Sequence, residues 1–170
     1  MAYLDNAYGN EVTVLKYDGS TWSTVGSARG ASPGGADSAS LAIDPSDVPY
    51  VACSDSTNDY KATVMKYDSS TSSWTAVGSV GFSAGAASVI SLAISPSGVP
   101  YVAFEDDANS GKVTVMKYEA SSSTWKTLGR AGISSGLATF NSLVIDSSGV
   151  PYVAFTDSTN YDKASVMRFR

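Results

Sequence analysis

The chain has 170 residues, 43% of them hydrophobic and 16% charged, with a formal net charge of −5. Such a composition belongs to a folded chain with a core, and the negative balance, with no basic run interleaved with aromatics, argues against nucleic acid as a partner. No apolar run reaches the ~18 residues that cross a bilayer, so no membrane partner is expected, and no basic stretch followed by an apolar one marks a secretory signal.

In chain order, Met1-Ala2-Tyr3 is a worn copy of a motif that returns complete three times, at 48–53, 99–104 (Val-Pro-Tyr-Val-Ala-Phe) and 150–155. Its prolines, Pro49, Pro100 and Pro151, stand 51 residues apart. Each copy leads through a polar loop to a second repeated run, at 12–17, 62–67, 113–118 and 164–169. Short β-runs recurring at a period near 50 residues are the mark of a propeller-type array.

The middle repeat predicts four strands: A at 91–94, B at 99–104, C at 113–118 and D at 125–129. Ser95-Pro96-Ser97-Gly98 supplies the A–B turn, and a proline second in strand B sits where a missing N–H costs least. Strands B and C are apolar on both faces, as stacked blades require. Trp22, Trp74 and Trp125 open the outer strands and are expected to cap the interfaces between blades. No stretch keeps a 3.6-residue period, so no helix is predicted.

The fold class is therefore all-β, a propeller fragment of ~51-residue four-stranded blades. Residues 1–26 give strands B, C and D of a partial blade, 40–78 and 91–129 give two blades, and 142–170 give strands A, B and C of another. Three and a half blades form an arc with bare edges. The expectation is closure by homo-oligomerisation, with a six-bladed dimer favoured, eight blades second, a threefold nine-bladed ring third and a monomeric four-bladed ring last.

The stretch from Ser142 to Asp157, with its Ile145-Asp146-Ser147-Ser148-Gly149 turn before Tyr152-Val153, resembles the core of NHL-like and kelch-like propeller blades. The resemblance runs through the whole chain by repetition. It implies a scaffold that hosts enzymes, lectins and docking rings alike, often extracellular or at the cell surface. The repeat is longer than an NHL blade and lacks the paired glycines of kelch after strand B. Asp18-Gly19-Ser20-Thr21-Trp22 is close to the Asp-box of sialidase-type propellers but one residue short of its spacing. Roughly half the positions match between the second and third repeats, as in a recently amplified, excised or engineered array.

Strands B and C are joined by loops at 5–10, 55–61, 105–112 and 157–163, which emerge on the same face as the glycine-rich D–A connections at 30–38, 81–88 and 132–139. These loops hold the candidate ligand-binding residues: Asp5 and Tyr8; Asp55, Asp59 and Tyr60; Glu105, Asp107 and Asn109; Asp157, Tyr161 and Asp162. Carboxylates and amides fix sugar hydroxyls while tyrosine stacks on the ring, so carbohydrate is the candidate ligand. Glu105-x-Asp107-x-Asn109 alternates oxygen donors like a calcium loop, but the glycine falls late and no bidentate glutamate follows, so no metal and no cofactor is implied.

The chain has no histidine, and its only cysteine, Cys53, takes the place of Phe104 and Phe155, which makes it a core filler. One cysteine forms no internal disulfide, so the compartment is left open. Catalysis needs one asymmetric constellation, whereas these repeats offer similar loops. Glu105 is the exception, standing where the other repeats have Leu4, Ser54 and Thr156. The chain is therefore expected to be a non-catalytic, self-assembling binding module or scaffold, not an enzyme. A multivalent carbohydrate-binding propeller is the alternative and a glycosidase-like enzyme the third reading.

Overall fold

A computed structural model of the chain describes residues 1–26 and 30–169. Ser27, Ala28, Arg29 and Arg170 lie outside the described residues, the last of them within the predicted blade 142–170.

The described residues form four antiparallel sheets. Blade 1 is β1 (Ala2–Asp5), β2 (Glu11–Tyr17) and β3 (Trp22–Thr24). Blade 2 is β4 (Ala36–Ile43), β5 (Pro49–Asp55), β6 (Lys61–Asp68) and β7 (Ser73–Ala76). Blade 3 is β8 (Ala87–Ile94), β9 (Pro100–Asp106), β10 (Lys112–Glu119) and β11 (Thr124–Thr127). Blade 4 is β12 (Ala138–Ile145), β13 (Pro151–Asp157) and β14 (Lys163–Arg168). These are the fourteen strands, in the pattern three, four, four, three, that the repeat predicts. All are meanders in sequence order, so the register of each blade is set by its own short turns.

Two local features go beyond the sequence expectation. The innermost strands begin four residues early, at Ala36, Ala87 and Ala138, because a bulge near residues 37–38, 89–90 and 140–141 lets the glycine-rich connection join the sheet. The B–C loops each contain one turn of 3-10 helix, at Asn6–Tyr8, Ser56–Asn58, Asp107–Asn109 and Ser158–Asn160. One turn is too short for any periodic signal.

The core consists of three clusters, one at each junction between blades. Between blades 2 and 3, Tyr50, Ala52, Ala62 and Val64 meet Val102 and Phe104. Between blades 3 and 4, Tyr101, Ala103, Val113 and Val115 meet Val153 and Phe155. Between blades 1 and 2, Val12 and Val14 meet Val51 and Cys53. Burial pushes the Cys53 thiol up to about 12, with Asp55 adding to the shift, so it is a neutral filler there. Trp74 and Trp125 cap these junctions as expected, whereas Trp22 is exposed and caps none among the described residues. Trp74 donates its indole N–H to the Val25 carbonyl (3.0 Å) and Trp125 to that of Val77 (2.8 Å), each one blade back.

Polar atoms also bridge neighbours at the axis. The Ile90 and Leu92 amides donate to the hydroxyls of Ser38 and Ser40, and the Leu143 amide to that of Ser91, all at 3.0 Å. An innermost strand has no ladder partner on its inner edge, and these serines supply the missing acceptors.

Candidate functional site

The chain has two loop faces. The upper rim carries the B–C loops and D–A connections; the lower rim carries the A–B and C–D turns.

On the upper rim an aspartate ends every strand B and caps the following turn. The side chains of Asp5, Asp55, Asp106 and Asp157 each accept the amide two residues on, at 3.0–3.1 Å. Asp106 also accepts from Asn109 (2.8 Å) and the Thr114 hydroxyl (2.7 Å). Asp55 does the same with Asn58 (2.8 Å) and Thr63 (3.1 Å). The threonines accept in turn from the Gly81 and Gly132 amides, giving a glycine–threonine–aspartate relay that ties each connection to the blade it leaves. Asp157 accepts instead from the Thr159 hydroxyl (2.7 Å) and the Gly136 amide (3.1 Å). These donors, the hydroxyl foremost, hold its carboxyl below the ordinary aspartate value.

Of the sequence candidates, Asp5, Asp55, Asp157 and Asn109 are thus bound up in turn geometry. Tyr8, Asp59, Tyr60, Asp107, Tyr161 and Asp162 are exposed. Asp59, Tyr60, Tyr161 and Asp162 have φ of 54–57°, the left-handed region. Glu105 is half-buried on the second strand of blade 3 and accepts from the Ser88 hydroxyl (3.1 Å). Asp106, the member of the capping series, was missed for its flanking acids Glu105 and Asp107; alignment to Asp55 and Asp157 identifies it. Among the described residues no three carboxylates, cysteines or histidines gather as a metal would require.

Gly85 and Gly136 let the connections lie against the next blade's turn. A Cβ at Gly85 would stand 2.7 Å from the Ala108 nitrogen, and one at Gly136 would stand 2.5 Å from the Ser158 hydroxyl. Both glycines serve close approach, with no positive φ.

Two grooves lie on the lower rim. Between blades 2 and 3 a groove of about 310 Å³ is lined by Tyr50, Lys66, Thr75, Gly98, Pro100 and Tyr118, among others. Between blades 1 and 2 the corresponding groove, about 740 Å³, is lined by Lys16, Tyr17, Trp22, Asp47, Pro49 and Tyr67, among others. The cation recurs at one repeat position, as Lys16, Lys66, Lys117 and Arg168. In three blades it lies over the tyrosine opposite it on strand B: Lys66 5.3 Å from the Tyr50 ring, Lys117 5.9 Å from Tyr101, Arg168 5.7 Å from Tyr152. The Tyr50 side chain beside Lys66 holds that ammonium above the ordinary lysine value. The signal was present in the sequence as an invariant charge and an invariant tyrosine at 51-residue spacing.

No protein-family model matches the chain, and no curated protein sequence matches it. Solved structures do. TolB from Acinetobacter baumannii aligns over 98% of this chain with a TM-score of 0.54 and 17% identity. The fold is that of β-propeller blades. The intramolecular trans-sialidase from Ruminococcus gnavus aligns over 94% (TM-score 0.55, 10% identity) and an engineered GH43 glycoside hydrolase over 95% (TM-score 0.55, 14% identity). The chain spans 40%, 38% and 34% of those three chains respectively.

Two of the three are enzymes by name, which corrects the expectation that the chain is not an enzyme. Near-repetition is no bar to catalysis, because a single departure such as Glu105 already breaks the symmetry that the expectation rested on.

Proposed function

We propose that the chain is a multivalent carbohydrate-binding propeller module, with one ligand groove at each blade junction of the lower rim, and that it works as an assembly of copies. The recurrence of one groove chemistry at successive junctions carries this reading. Tyr118 or Tyr67 offers a ring face and Lys66 or Lys16 an ammonium donor in both grooves, and Gly98 in the groove between blades 2 and 3, where the other has Asp47, adds an open backbone against which a flat sugar can lie. The solved enzymes on this fold whose names refer to sugar chemistry lend the ligand class further support. Within propellers we place the repeats nearest NHL-like and kelch-like blades, on the turn at Ile145–Gly149.

Titration with a panel of oligosaccharides, followed by amide shifts, tests this. Binding should fall by more than about tenfold in Tyr118→Ala and in Lys66→Ala and stay unchanged in the upper-rim variants Tyr60→Ala and Tyr161→Ala. Shifts confined to the upper rim, or no response to any sugar, would overturn it.

One observation favours a second reading. Glu105 is the single acid at its repeat position, half-buried and held by Ser88, a setting suited to a general acid in glycoside hydrolysis. Release from chromogenic glycosides that disappears in Glu105→Gln would establish it; no turnover across a glycoside panel would remove it.

A further inference from the structure

Each internal junction joins a trailing face to a leading face. In blade 2 the trailing face presents Tyr50, Ala52, Ala62 and Val64, and the leading face of blade 3 answers with Leu92, Val102, Phe104, Met116 and Trp125. Two such faces have no counterpart among the described residues. The trailing face of blade 4 carries Tyr152, Ala154, Ala164 and Val166 at the same repeat positions, and Val166 is 68% exposed where Val64 and Val115 are fully buried. The leading face of blade 1 carries Met1, Tyr3 and Trp22 at the positions of Val102, Phe104 and Trp125, and all three are exposed. Ser142, which corresponds to the bridging Ser40 and Ser91, is exposed as well.

We propose that these two faces are halves of one interface, the trailing face of blade 4 packing on the leading face of blade 1 in a second copy. The inference rests on the assembly reading above and assigns its surfaces. The occupant is argued from continuity. The same apolar set is already joined to its complement three times within the chain, and no other partner is specified so closely by the side chains present. Two copies meeting head to tail at both ends bring eight sheets around one axis. Among the described residues blade 4 shows no outer strand and blade 1 no inner strand, so the contact rests on strands B and C and on Trp22. It also builds one more lower-rim groove, with Tyr152 and Arg168 from one copy facing Tyr17 of the second.

Native mass spectrometry and light scattering of the whole chain at micromolar concentration test this, with Val166→Asp on one face and Trp22→Asp on the other. Both positions are exposed within one copy, and unchanged circular dichroism confirms that each variant folds. Each substitution should weaken association by more than about a hundredfold, as a charge forced into an apolar contact does. A mixture of the two variants should recover a heterodimer, since one intact pair of faces remains. Association lost in Val166→Asp but untouched in Trp22→Asp would mean that like faces meet, and association untouched in both would mean another surface; either overturns the face assignment alone. A monomer would overturn the assembly reading with it.

Discussion

Trp125 and Trp22 occupy one repeat position in two blades, and each tilts against the tyrosine opposite it on strand C, at 5.5 and 5.2 Å, but there the likeness ends. Trp125 is 7% exposed, stacks on Phe82 with ring centroids 4.4 Å apart and donates to Val77. Trp22 is 55% exposed and its recorded ring contact is Tyr17, at 5.2 Å. The repeat thus fixes where a side chain sits in its blade, whereas the neighbouring blade decides whether it is core.

Matched substitutions test that division. Trp125→Ala should cost about 3–5 kcal/mol and Trp22→Ala less than about 1 kcal/mol, read from denaturant unfolding of the dissociated chain. Equal costs would mean that the tryptophan acts within its own blade. Asp106→Ala strands the Asn109 and Thr114 donors beside a buried void and should cost about 2–4 kcal/mol. Asp5→Ala, in a half-exposed cap, should cost about 1 kcal/mol. Gly85→Ala and Gly136→Ala should each cost about 1–3 kcal/mol, and here the inner and terminal blades should agree, because both connections press on a turn that is present. A twofold difference between them would show that blade 4 yields where blade 3 does not.

The smallest effect is acid sensitivity. Asp157 has its carboxyl held down by Thr159 and Asp68 by Ser70. A carboxyl depressed in the folded state adds stability that is complete above its unfolded value and lost as pH falls through the folded one. The melting temperature should therefore hold down to about pH 5 and drop below about pH 4, and Asp157→Asn should flatten part of that drop.

The blade plan was legible because proline, tyrosine and tryptophan recur at one spacing, and two-sided apolar strands have few other uses. The capping role of the upper-rim aspartates was not legible, for a physical reason. An acid in a polar loop reads as a ligand until its backbone donors are seen, and the 51-residue recurrence of Asp55, Asp106 and Asp157 marks the position without showing that it caps a turn. The lower-rim grooves were hidden in plain composition, since a lysine beside a tyrosine in a strand reads as a stem lying on the sheet. What draws Lys66, Tyr50 and Tyr118 to one groove is the approach of two blades, which no single repeat encodes.

The hydroxyl bridges from Ser38, Ser40 and Ser91 each span a single step to the next inner strand. Each of these bridges joins adjacent blades, so opening one end releases one sheet and leaves the rest clasped. In an isolated chain, amide exchange should be slowest in β5, β6, β9 and β10 and quicken toward both ends, like a row of books with no bookends.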